Sequence, residues 1–232
     1  MMQRDEQTRP SGHADQAIVA SDLEGTLSTY QTWRGMRDYL LAHGRARPYR
    51  RFFVRHLPAL ARFRLGLANG PAFKERWIVG VLRLFAGATP EEFAAMAAWV
   101  VERALWPQRR QAVVAELQAH RRVGRRVIVI SGLFEPLLDA FNARLGDVEG
   151  IGTPLRFVDG RFSGELAGPF NTGAHKAQQL RLLVGNGRLV AAYGDTEGDV
   201  PMLEMSVAPV AVYPDAMLRR VAQARGWRIL ED

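Results

Sequence analysis

The sequence predicts an α/β fold: a parallel sheet with helices on both faces, interrupted near its start by an all-helical insertion. Three observations lead there. After residue 107, short β-branched runs alternate with amphipathic helical stretches, the pattern of a sheet built from parallel strands. The run "RRVIVISG" is apolar without alternation, as a strand covered on both faces must be. Between Tyr30 and about Arg110, by contrast, apolar residues recur only at helical spacing.

The elements follow in order. Residues 17–21, "AIVAS", read as a short buried strand. Four helices are expected next, over about 31–43, 49–67, 71–86 and 90–105, separated by the breaks "RARP", "LANGP" and "GATPEE". Thr89, Pro90 and Glu92 form a capping box that starts the fourth. Pro58 should kink or split the second. A helix over 109–123 leads to the strand in "RRVIVISG", then a helix over 134–145. In "TPLRFVDGRFSGEL" the Asp159-Gly160 pair between alternating segments signals a hairpin. There follow a helix (173–185), a strand "RLVAAYGD", a short helix (199–205), a strand "VAPVAV", a helix (214–225) and a last strand near 227–230. The expected organisation is a core domain of residues 17–29 and 107–232, a helical domain of residues 30–106, and a polar, disordered tail over 1–16.

Composition narrows the chemistry. The 232 residues include no cysteine, which excludes disulfides, thiolate metal sites and a cysteine nucleophile. The first residues lack the apolar core of a secretion signal, and "FAAMAAWVV" at 93–101 is too short to span a bilayer, so a soluble cytoplasmic protein is expected. The formal charge of +7 is uneven: residues 30–110 hold 15 Lys and Arg against 5 Asp and Glu. That segment suggests an acidic partner (a phosphorylated substrate, an anionic lipid surface or nucleic acid) or is simply a solvated face. A basic amphipathic stretch over 47–67 could touch membranes, though packing on its neighbours is the stronger expectation. His13, His43, His56 and His120 show no ligand spacing and read as surface residues. The tryptophans at 33, 77, 99 and 106 fall in helical segments and read as core, not as a base-stacking platform, so no nucleic acid is expected.

In open parallel sheets, ligands bind outside the carboxyl ends of the strands. After the first strand come Asp22 and Glu24; after "VIVI" come Ser131 and Gly132; after "LVAAYG" come Asp195 and Asp199; and Lys176 begins a helix after "GPFNTGAH". Of 31 basic residues only Lys74 and Lys176 are Lys, so Lys176 marks a place that wants a compact point charge. Crowded acids with one ammonium suit phosphoryl transfer with Mg²⁺, a hard cation that takes oxygen ligands. A carboxylate can attack phosphorus, while a hydroxyl, an ammonium and turn amides hold the equatorial oxygens.

The ordered set "DLEGTL", "VIVISG", "GAHKA" and "YGDTEGDVPML" resembles the four motifs of the haloacid dehalogenase-like (HAD) superfamily of phosphatases. The helical insertion resembles the C1 cap of the branch that contains phosphoserine phosphatase. The resemblance covers residues 17–230, and its last motif is the most specific. It implies a Rossmann-like core, Mg²⁺ as cofactor and a small phosphorylated substrate. By motif, Asp22 would be the nucleophile and a metal ligand. Glu24 would be the general acid/base, its main-chain carbonyl on the metal. Ser131, Gly132 and Lys176 would grip the phosphoryl group; Asp195 would ligate Mg²⁺ directly, and Asp199 would bind it or orient its waters.

Two departures stand out. The second acid of the first motif is usually Asp, although some relatives also have Asp-Leu-Glu-Gly, including one that transfers phosphate to homoserine. Phosphoserine phosphatases carry an acid nine residues past the nucleophile, where this chain has Gln31, which argues against phosphoserine. The basic, apolar insertion instead resembles that of a set of C1-capped phosphatases, which implies small organic or lipid-like phosphates as candidate substrates. The alternatives are a phosphotransferase with an alcohol acceptor, or a non-catalytic protein of this fold that binds anionic lipid or nucleic acid.

Overall fold

The computed structural model describes residues 17–67, 70–185 and 187–231; the tail over 1–16 lies outside the described residues. In chain order the strands are β1 (Ala17–Ser21), β2 (Arg126–Phe134), β3 (Glu149–Thr153), β4 (Leu155–Val158), β5 (Arg161–Leu166), β6 (Arg188–Gly194), β7 (Ala208–Val212) and β8 (Arg228–Leu230). Six of them form one sheet in the order β3-β2-β1-β6-β7-β8, with every neighbouring pair parallel. The helices are α1 (Thr32–Ala42), α2 (Ala46–Arg64), α3 (Gly70–Leu82), α4 (Pro90–Val100), α5 (Gln111–Arg122), α6 (Glu135–Arg144), α7 (Gly173–Val184), α8 (Val200–Leu203) and α9 (Ala216–Arg225).

Alternate side chains of the central strands bury into two separate cores, the two-residue period of a strand. Ile18, Ala20, Ile128 and Ile130 pack with Leu180 of α7, Met202 and Leu203 of α8, and Leu218 and Ala222 of α9. Val19, Val127 and Val129 face the other way, onto Val113 and Leu117 of α5 and Leu137 and Phe141 of α6. This second core runs on without a break into Met36, Leu40, Trp77, Phe93 and Met96 of α1, α3 and α4. Where the chain enters and leaves this helical block, Thr29 N–H donates to Gln108 O at 3.0 Å and Arg110 N–H to Leu27 O at 2.8 Å.

Several elements differ from the sequence reading in ways that have physical reasons. Strand β3 carries little strand signal in the sequence, because two of the five residues of "EGIGT" are glycine. The glycines are needed there: a Cβ at Gly150 would lie 2.4 Å from Asn142 Nδ2, and one at Gly152 would lie 2.8 Å from Leu133 O. Helix α2 ends at Arg64, before the expected 67, because Gly66 (φ +71°) lets its N–H reach Phe63 O and lets Leu67 N–H reach Arg62 O. Pro58 does not split α2; it sits on the exposed face, and so does Val54, whose carbonyl loses its partner to the missing N–H. Helix α4 gives way to a π-helical turn at Val101–Leu105. His120 is half-buried, with Nε2 3.0 Å from the Tyr193 hydroxyl, and is not a free surface residue.

Other local expectations hold. Both bonds of the capping box form: Thr89 N–H donates to Glu92 Oε2 (2.8 Å) and Glu92 N–H to Thr89 Oγ1 (3.3 Å). Asp159 and Gly160 both have positive φ (49° and 72°), as the tight turn between antiparallel β4 and β5 requires. Among the described residues no helix is long and apolar enough to cross a membrane.

Candidate active site

Strand β1 lies between β2 and β6. The chain builds the sheet outward from β1 on one side, through β2 and β3, then returns to build β6, β7 and β8 on the other. That reversal opens a crevice at the carboxyl ends of β1 and β6. Asp22 and Asp195 stand there, each one residue past its strand. The Asp22 N–H donates to Tyr193 O at 2.9 Å, extending the parallel ladder by one residue and fixing the aspartate's direction.

The loop after Asp22 turns sharply at Gly25 (φ +96°), whose N–H donates to Ser28 O at 2.7 Å. A Cβ at Gly25 would lie 1.9 Å from Asp195 Oδ2. Glycine is therefore required twice over, by the turn and by the approach of the Asp195 carboxylate. Across the crevice a Cβ at Gly194 would lie 2.5 Å from Asp199 Cβ, so this second glycine lets Asp199 fold in.

Lys176, in the first turn of α7, is buried, and its Nζ donates to Asp22 Oδ1 and to Asp199 Oδ1, each at 2.6 Å. The other oxygen of Asp199 accepts the N–H groups of Asp195 and Thr196, both at 3.1 Å. One carboxylate oxygen from each of Asp22, Asp195 and Asp199 can be chosen so that all lie within 4.8 Å of one another. Burial pushes the Asp22 carboxyl up to about 6; Lys176 opposes this and Asp199 adds to it. Burial and the charges of Asp22 and Asp199 push Asp195 up to about 8, against a smaller opposing effect of the Thr26 hydrogen bond. For Lys176, burial alone would lower the pKa, but Asp199 and Asp22 outweigh it and raise it. One ammonium is too little charge for three carboxylates. The donor set is all carboxylate, with no cysteine in the chain, and so fits a hard divalent cation such as Mg²⁺ and not zinc.

Glu24 stands apart from this cluster. Its Oε2 accepts the main-chain N–H of Thr32 at 2.9 Å, at the start of α1. The N-cap residue Gln31 makes no side-chain cap, and the first turn of α1 has no acid, so Glu24 caps the helix from outside. Ser131 and Gly132 lie on β2 beyond the residue that pairs with Ser21. The Ser131 hydroxyl is buried and accepts the Leu133 N–H at 3.4 Å.

Two supporting residues are invisible to a reading based on strand ends. Thr26 Oγ1 donates to Asp195 Oδ1 at 3.1 Å. Asn171 is buried, and its Nδ2 donates to Ser131 O (3.3 Å) and Ile151 O (2.8 Å), tying the loop before α7 to β2 and β3. The one signal for Asn171 in the sequence is its place two residues before the "GAHKA" stretch.

A sequence profile of haloacid dehalogenase-like hydrolases matches residues 19–204, most of the chain. The chain belongs to this family. Among its relatives, a Mycobacterium tuberculosis protein named as a phosphoserine phosphatase is 38% identical over 116 residues, or 48% of this chain and 38% of that protein. The match thus spans less than half of the relative's length. Among solved structures, a protein of unknown function from Bordetella pertussis superposes with a TM-score of 0.78 at 23% identity, covering 94% of this chain and 99% of the other. A phosphoserine phosphatase in the form of a phospho-aspartyl intermediate analogue gives a TM-score of 0.59 at 16% identity, covering 94% of each chain. At such identities these two likenesses speak to the fold, which is that of the HAD family.

Proposed function

We propose that this HAD hydrolase is a Mg²⁺-dependent phosphatase that hydrolyses a small phosphomonoester through a phospho-aspartate at Asp22. The observation that carries the reading is the Lys176 ammonium held between Asp22 and Asp199, with Asp195 alongside, at the sheet's switch point. Asp22, Asp195 and Asp199 would hold the cation, with the Glu24 main-chain carbonyl as a further oxygen ligand. When bound, Mg²⁺ would supply the positive charge that three acids lack and screen the incoming phosphoryl group from their repulsion.

In this reading the residues of the chain divide the work. Lys176 fixes Asp22 Oδ1, leaving Oδ2 to attack phosphorus as the bond to the leaving oxygen breaks. Glu24 gives its proton to that leaving oxygen, then takes one from the water that cleaves the aspartyl phosphate. Ser131, the Gly132 amide and Lys176 hold the equatorial oxygens, where transition-state charge is spread. Residues 17–29 and 107–232 act as the catalytic core, and residues 30–106 act as a cap over it.

The side chain of Gln31 is exposed and accepts the Trp33 indole N–H at 3.2 Å, so no carboxylate is offered there for a substrate ammonium. This favours a phosphomonoester other than phosphoserine. The test is phosphate release from p-nitrophenyl phosphate with Mg²⁺, compared with the Asp22→Asn protein. Turnover should fall by about 10³-fold or more when the nucleophile is lost. An Asp22→Asn protein that keeps more than a few per cent of wild-type kcat would overturn the assignment, and so would full activity in EDTA.

A further inference from the structure

Helix α2 carries a feature that the catalytic reading does not use. Its inner face is aromatic: Phe52 lies 5.1 Å from Trp77 and Phe63 stacks on Phe73 at 4.4 Å, ring centre to ring centre. Its exposed face carries Arg47, Arg50, Arg51, Arg55, Arg62 and Arg64. Among the described residues none of these guanidiniums is paired with a carboxylate. The sequence offers no nearby acid either, since no Asp or Glu occurs from Tyr39 to Lys74.

Aliphatic side chains stand among these arginines. Val54 is 64% exposed and Leu57 43%; beyond the helix end Leu65 is 72% and Leu67 66% exposed. Positions 54, 57, 61 and 65 fall on one stripe at helical spacing, so the apolar residues form a line and are not scattered singly.

We propose that the outer face of α2 docks on an anionic phospholipid surface, the helix lying along the bilayer. Guanidiniums pair with lipid phosphates in a fork-like geometry that suits them. The aliphatic stripe enters the headgroup layer, which a purely electrostatic contact would not need. A nucleic acid would satisfy the same charges, but single strands also use exposed aromatic rings as stacking platforms. Here Phe52, Phe63 and Phe73 turn inward, and what faces outward is aliphatic. The inference stands whether or not Asp22 is a nucleophile.

Flotation of the full chain with phosphatidylcholine vesicles, with and without about 30% phosphatidylglycerol, tests it. Binding to the anionic vesicles should exceed binding to the neutral ones by at least about tenfold and weaken as salt screens the surface. The triple change Arg50→Glu, Arg51→Glu and Arg55→Glu should abolish it. The triple change Val54→Ser, Leu57→Ser and Leu65→Ser leaves the charge intact and should still lower binding severalfold. All these side chains are exposed, and an unchanged melting temperature confirms that the variants fold. Equal binding to neutral vesicles, or none to anionic ones, overturns the proposal. A serine variant that binds like wild type reduces the contact to charge alone and overturns it too. Tighter binding to a DNA or RNA oligonucleotide at the same salt would assign the face to nucleic acid instead.

Discussion

The Glu24 carboxylate caps helix α1 through the main-chain N–H of Thr32, 2.9 Å away. The extra methylene relative to Asp is what lets the side chain reach that amide while its main chain stays in the loop after β1. Glutamate in "DLEGTL" therefore ties the loop after β1 to α1.

That tie separates two roles for Glu24. Glu24→Ala removes the cap and should cost about 1 kcal/mol, or about 2–4 °C in melting temperature for a chain of this size. Glu24→Gln keeps an acceptor oxygen and should lose less stability, but it removes the proposed proton carrier. With an activated aryl phosphate it should show a rapid burst and then slow turnover, as phosphoenzyme accumulates. If Glu24→Gln turns over a substrate with a poor leaving group at the wild-type rate, Glu24 is only a cap.

Gly25 should be intolerant of any side chain. Its φ of +96° disfavours L-residues, and the added Cβ would meet Asp195 Oδ2 at 1.9 Å. Gly25→Ala should cost more than about 1 kcal/mol and displace Asp195, lowering turnover by at least about tenfold. Denaturant melts and steady-state kinetics on the same preparation check both effects. Unchanged values in both would mean that the loop has another conformation.

Lys176 should not be replaceable by Arg. Its Nζ sits between two carboxylates at 2.6 Å each, in a space sized for an ammonium. Lys176→Arg should fold and lose most activity, because a planar fork cannot occupy that point. Lys176→Met leaves buried acids without their cation and should cost about 3–5 kcal/mol in metal-free buffer near neutral pH. Lowering the pH, which protonates the acids, should return part of that loss.

Stability should depend on pH and on Mg²⁺ together. Asp22 is raised to about 6 and Asp195 to about 8, both from 3.8. The folded chain thus binds these protons more tightly than the unfolded chain does. Their stabilising effect is complete below 3.8 and is lost as pH rises through about 6 and then about 8. Metal-free protein should accordingly melt at progressively lower temperature from about pH 5 to about pH 8.5. Mg²⁺ competes with protons for the same oxygens, so its stabilisation should grow with pH. Differential scanning fluorimetry with and without millimolar MgCl₂ reads this directly. A Mg²⁺ shift that is the same at both ends of the range would place the cation elsewhere.

Most element types are legible in the amino-acid sequence, because they rest on local physics. Hydrophobic period separates strand from helix, the Thr89–Glu92 box and the Asp159-Gly160 turn punctuate the chain, and the acids Asp22 and Asp195 follow strand ends. The order of motifs was also legible, since it survives in linear spacing. Folding alone sets the relationships between residues far apart in sequence. The order β3-β2-β1-β6-β7-β8 brings Asp22 beside Asp195 and Asp199, and no local pattern encodes which strands become neighbours. Strand β3 escaped detection because close packing on Asn142 and Leu133 demanded glycine in place of β-branched residues. Thr26 and Asn171 acquire their partners only when loops from different strands meet. The reach of Glu24 to Thr32 is the same case: eight residues separate them, and only the path of the chain out of β1 turns a carboxylate into the cap of the next helix.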